Sequence, residues 1–99
     1  MESFEREFEE YCKSPSIDSG KARSYAKAIR YLCDYMGIYE MSESAIDKIE
    51  AIEIHINDKN SAFYKDLLSF LINRKQRSYL EGGFIRAALK CLYEYKKRI

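Results

Sequence analysis

Apolar residues recur three and four positions apart over most of the chain, the spacing that lines one face of a helix. Phe4, Phe8 and Tyr11 stand among Glu5, Glu7, Glu9 and Glu10, which predicts a short amphipathic helix with acidic residues favourable near its N-terminus. It should stop near Ser14, because the residue before Pro15 is pushed out of the helical region. Residues 14–20 then read as a loop, with Ser19 or Gly20 able to cap the second helix. From Lys21 to about Met36, Tyr25, Ala28, Ile29, Leu32 and Met36 form one apolar stripe, opposed by Arg23, Lys27, Arg30 and Asp34. Gly37 sits where a left-handed helix end is expected.

Ser44 to Asp47 offers a capping-box-like start to the next segment, with Asp in place of the preferred Glu or Gln. Ile52-Glu53-Ile54-His55-Ile56 alternates with period two and is β-branched, so in isolation it suggests a strand. Ile46, Ile49, Ile52, Glu53 and Ile56 also fit a helix, and a lone strand has no partner elsewhere in the chain; helix is the favoured reading. After a polar break at residues 57–61, Ser61 or Asn60 can cap a helix carrying Phe63, Leu67, Leu68, Phe70 and Leu71. A second break covers residues 74–78. The final helix, beginning near residues 80–83, carries Phe84, Ile85, Ala88, Leu89, Leu92 and Tyr95 over more than half its circumference and is expected to be the most buried.

These elements predict an all-α fold: one small domain over residues 1–99, an orthogonal bundle of four to five helices. An offset of sixty residues sets Ala28–Tyr35 against Ala88–Tyr95 with six of eight positions identical or similar in type, as expected of two helices meeting the same packing problem or of an internal repeat. No stretch approaches the roughly 20 apolar residues of a membrane span, and the first residues lack the basic and apolar regions of a signal peptide, so a cytoplasmic location is expected.

Charge changes the picture more than composition does. The net value of +1 conceals segregation: −4 over residues 1–12, +3 over 13–37, −5 over 38–58 and +7 over 59–99. The basic C-terminal part, with Arg74, Lys75, Arg77, Arg86 and Lys90, could supply phosphate contacts, and Tyr79 and Tyr93 could donate hydrogen bonds to phosphate. Arg23, Lys27 and Arg30 share one helix face and are candidates for the same role. The competing reading is that these cations solvate exposed faces and pair with the acidic segments. The near-neutral total argues against a strong nonspecific nucleic-acid binder.

Candidate catalytic chemistry is thin. Cys12, Cys33 and Cys91 are odd in number and widely separated along the chain, so they form no C-x-x-C pair and read as free thiols. With His55 the only histidine, neither a metal site nor a hydrolase triad is indicated, and no metal or cofactor is expected. Gly82-Gly83 lacks the spacing of a phosphate loop; its expected role is to start or kink the last helix, or to admit a close backbone approach. Tyr31, Tyr35 and Tyr39, one turn apart, either pack at the core rim or present a partner surface.

Residues 19–32, Ser-Gly-Lys-Ala-Arg-Ser-Tyr-Ala-Lys-Ala-Ile-Arg-Tyr-Leu, followed by residues 78–90, Ser-Tyr-Leu-Glu-Gly-Gly-Phe-Ile-Arg-Ala-Ala-Leu-Lys, resemble the N-terminal core-binding, SAM-like domain of tyrosine recombinases and phage integrases. They are similar also to the helical N-terminal region of some HNH-type bacterial restriction endonucleases. The resemblance implies a bacterial or phage module that clamps duplex DNA while a separate catalytic domain acts, with Arg23, Lys27, Arg86 and Lys90 at the matching positions. The sequence thus points to a non-enzymatic DNA-binding accessory module. The alternative is a protein-interaction or oligomerisation domain whose acidic and basic segments pair with a second copy.

Overall fold

In the computed structural model, which describes residues 2–13 and 17–98, helix α1 covers Glu2–Cys12, α2 Ser19–Met36, α3 Glu43–Ile56, α4 Ala62–Asn73, α5 Ser78–Glu81 and α6 Phe84–Tyr95, followed by a 3₁₀ turn at Lys96–Arg98. No strand occurs among the described residues, so the fold is all-α, with five longer helices and the single turn of α5. The Pro15 stop and the first part of the predicted loop, residues 14–16, lie outside the described residues.

The alternating stretch at 52–56 is helical because burial follows the helical period. Ile46, Ile49 and Ile56 are buried together, whereas Ile54, which a strand would place beside Ile52 and Ile56, is 72% exposed. Two helix starts differ from expectation. Asp18, rather than Ser19 or Gly20, caps α2: its carboxylate accepts the Lys21 N–H at 2.8 Å and adds a negative charge at the positive helix end. Ser42, rather than Ser44, caps α3 by accepting the Ala45 N–H at 3.1 Å, which brings Glu43 into the favoured first turn. Ser61 caps α4 as expected, accepting from Tyr64 at 3.0 Å and donating to the His55 carbonyl at 2.8 Å. Gly37, at φ 74°, ends α2 in the left-handed conformation anticipated for it.

The last helix begins later than residues 80–83, because α5 forms a separate turn before it. A Cβ on Gly82 would stand 2.6 Å from the Ser78 carbonyl oxygen, and Gly83 has φ 82°, so both glycines are needed where the chain turns from α5 into α6.

One continuous cluster of buried side chains runs through the bundle. Its centre is α2 against α6, with α1 laid over both and α3 and α4 closing the other side. As expected, no helix is more buried than α6: four of its 12 residues are buried, the same share as the six of 18 in α2, because each buries one stripe of the same width. The sequence echo coincides with that central pair. Ala28, Ile29 and Leu32 are buried on α2, and their counterparts Ala88, Leu89 and Leu92 on α6. Tyr35 and Tyr95 each donate a hydroxyl hydrogen to a carboxylate on a neighbouring helix, Asp66 and Glu7 respectively. Similar text here serves similar packing. The Cα radius of gyration, 12.7 Å, is close to the roughly 13 Å of a compact chain of this length.

Candidate nucleic-acid interface

The charge blocks of the sequence meet one another in space. Arg23 and Arg30 of α2 approach α1, at 3.9 Å from Glu9 and 3.6 Å from Glu5, while Lys96 pairs with Asp47 of α3. These are loose or exposed pairs, each worth about 1 kcal/mol or less. Their consequence is electrostatic: the positive side of α2 is partly neutralised by the acidic helix beside it. Lys27, one turn from Arg23, is half-buried and makes no ion pair among the described residues.

The other five candidates lie along a second region. Arg74, Lys75 and Arg77 occupy the turn between α4 and α5 and are exposed. The Arg74 guanidinium stacks over Phe70 at 4.2 Å, and Arg77 grips Glu81 through two hydrogen bonds, 2.7 and 3.1 Å. That fork holds the Glu81 carboxyl below its ordinary range and the Arg77 guanidinium above its own. Glu81, Lys59 and Arg86 line a groove of about 230 Å³ at the α5–α6 junction. Arg86 and Lys90, one helical turn apart on the exposed face of α6, line the adjoining groove of about 370 Å³ with Glu53 and Asn57. Arg77, Lys59, Arg86 and Lys90 therefore follow one another from the start of α5 to the middle of α6, with Glu81 and Glu53 between them, while Arg74 and Lys75 stand on the turn that precedes α5.

Backbone geometry adds to this band at two points. The N-terminus of α6 opens beside Arg86, and Gly83 offers no side chain to cap its first N–H groups. Lys75 holds φ 61°, the one non-glycine residue with positive φ among those described. It is the left-handed residue that ends α4: its N–H bonds the Ile72 carbonyl at 3.0 Å and the Gln76 N–H bonds the Leu71 carbonyl at 2.8 Å.

Lys59 was not among the candidates read from the sequence, since it lies in a polar break with no helical face to group it with the others. The Tyr93 hydroxyl donates its hydrogen to Glu53, at 2.8 Å, on the groove that Arg86 and Lys90 line. Tyr31 and Tyr35 make edge-to-face ring contacts with Tyr79 and with Phe63 and Phe70, whereas Tyr39, beyond the helix end, is 82% exposed. No three His, Cys, Asp or Glu side chains among the described residues gather closely enough to hold a metal ion, and no described helix is long and apolar enough to cross a membrane.

Compared with family models, curated proteins and solved structures, the chain matches none. The likeness to recombinase and restriction-enzyme helical domains accordingly rests on the residues of α2 and of the α5–α6 segment alone.

Proposed function

We propose that this chain is a non-enzymatic accessory module that docks on the backbone of duplex DNA. The observation that carries this reading is the run of four cations, Arg77, Lys59, Arg86 and Lys90, along the adjoining grooves of α5 and α6, with Arg74 and Lys75 exposed on the turn before them. Phosphate contact asks for cations without ion-pair partners, and Arg74, Lys75, Lys59, Arg86 and Lys90 meet that requirement among the described residues, Arg74 with its guanidinium stacked on Phe70. The uncapped start of α6 supplies backbone donors of the same polarity. Glu53 and Glu81 in the same grooves, with a net charge of only +1, make the interaction weak and strongly dependent on salt. A separate catalytic domain would then supply any chemistry, as the recombinase resemblance implies.

Fluorescence polarisation with labelled duplex and single-stranded oligonucleotides, at two salt concentrations, tests this. Duplex binding that weakens with salt is expected. The double variant Arg86→Ala and Lys90→Ala should weaken it further, lowering the slope of log affinity against log salt by about 0.9 for each phosphate no longer neutralised. No detectable duplex binding by the unaltered chain at low salt would overturn the reading. The protein-interaction alternative would then stand, with self-association measured by sedimentation.

A further inference from the structure

The three cysteines are far apart in sequence, but the fold brings two of them together. Cys12 ends α1, Cys91 lies in the middle of α6, and the packing of these two helices makes their side chains neighbours. Both line one cleft of about 370 Å³, walled by Tyr11, Ile17, Lys90 and Glu94. Cys33, the third, is buried within α2 and lines none of that cleft.

The geometry points to Cys12 and Cys91 as a thiol pair that peroxide oxidises to an intramolecular disulfide, a covalent clasp between α1 and α6. Their accessibilities divide the roles. Cys91 is half-buried at the cleft and is the thiol a small oxidant reaches, whereas Cys12 is 3% exposed and lies behind it. Burial foremost, and then the neighbouring Cys91, push the Cys12 thiol up to about 12, so that it is a poor first nucleophile, and its place beside Cys91 leaves it the second step.

In the first step the Cys91 thiol gives its proton to water and its sulfur attacks one oxygen of hydrogen peroxide. The S–O bond forms, the O–O bond breaks, and hydroxide leaves and takes up a proton, giving sulfenic acid and one water. In the second step the Cys12 sulfur attacks the Cys91 sulfur, expelling hydroxide, which takes the proton Cys12 sheds. Two thiols are oxidised by two electrons in all, and one peroxide becomes two waters. The closed loop would span nearly the whole chain, the case in which a cross-link restricts the unfolded state most.

The test is peptide mapping of the full chain without reductant, after treatment with hydrogen peroxide and quenching with an alkylating agent. The expected result is a Cys12–Cys91 linked peptide pair, loss of two hydrogens from the intact mass, and a rise in Tm of about 10 °C that a thiol reductant reverses. Cys91→Ser should abolish both the link and the Tm rise, and Cys33→Ser should leave both in place. Because the mapping is performed on the unaltered chain, it decides the matter even if a variant folds poorly. Over-oxidation of Cys91 to sulfinic acid with Cys12 still alkylatable, or disulfide-linked dimers through Cys91, would overturn the assignment.

Discussion

The phenol of Tyr93 on α6 donates to Oε1 of Glu53 on α3 at 2.8 Å, joining two helices whose residues stand forty positions apart. Both side chains are half-buried, and burial foremost, then the hydrogen bond to Glu53, push the Tyr93 hydroxyl well above its ordinary range. Removing the donor strands a partly buried carboxylate. Tyr93→Phe is therefore expected to lower unfolding stability by about 1–2 kcal/mol, in keeping with hydrogen bonds to charged groups. Urea denaturation measures it, and a change below about 0.3 kcal/mol would mean that water replaces the phenol.

That hydrogen bond marks the boundary of what the sequence makes legible. The periodic text places Glu53 on the same side of α3 as Ile49 and Ile56, and so fixes the helix, but not the tyrosine that reaches it. Stripes predict which residues are buried, because burial follows a 3.6-residue period within one element. Which stripe faces which is decided by loops and by the fit between helices. The two groups of cations are legible along the chain, but for that reason their partners are not. Arg23 and Arg30 meet α1 only once α1 folds back on α2, while Arg77 joins Arg86 through Glu81 and a short helix that periodicity merges with its neighbour. Nor does spacing along the chain bring Cys12 to Cys91. Gly82 and Gly83 were readable in advance because glycine pairs have few uses, and both proposed uses are met at the α5–α6 junction.

The central pair of helices supplies a stability prediction. Leu89 is fully buried on α6, between Ile85 and Leu92 and toward α2. Leu89→Ala is expected to cost about 2–5 kcal/mol, the transfer loss of the deleted carbons plus the cavity left behind. Ile54→Ala, at an exposed position on α3, is the control and should change stability by about 0.5 kcal/mol or less. A Leu89→Ala effect as small as the control would place α6 at the periphery.

Alkaline pH should unfold the chain through groups buried in their neutral forms. Burial, with Cys91 beside Cys12 and Asp34 beside Cys33, pushes both thiols from 9.0 up to about 12, and burial with the hydrogen bond to Asp66 pushes Tyr35 from 10.0 up to about 12. In each the folded value lies above the unfolded one. The associated stability is fully present below about pH 9 and is lost between there and about pH 12, as the unfolded chain gives up protons that the folded chain keeps. Urea midpoints should therefore fall between about pH 8 and about pH 10.5, and Cys33→Ala should shrink the difference between them. A midpoint independent of pH across that window would show that the thiols titrate normally.

Lys75 offers a substitution whose effects on stability and on binding should run in opposite directions. Its φ of 61° places a Cβ where the left-handed end of α4 favours glycine, and both hydrogen bonds of that turn come from backbone that glycine also provides. Lys75→Gly relieves the steric cost of the side chain, partly offset by the greater freedom of glycine in the unfolded chain, for an expected gain of about 0.5–1 kcal/mol. The same change removes one cation from the band between Arg74 and Arg77. Duplex affinity should fall, with a salt slope shallower by about 0.9 if that lysine contacts a phosphate. Thermal melting and polarisation titrations on one preparation read both effects. A variant that is more stable yet binds duplex DNA unchanged would remove the α4–α5 turn from the interface and leave Arg86 and Lys90 to carry it. A variant that is less stable would mean that the lysine side chain, and not the backbone, holds the turn.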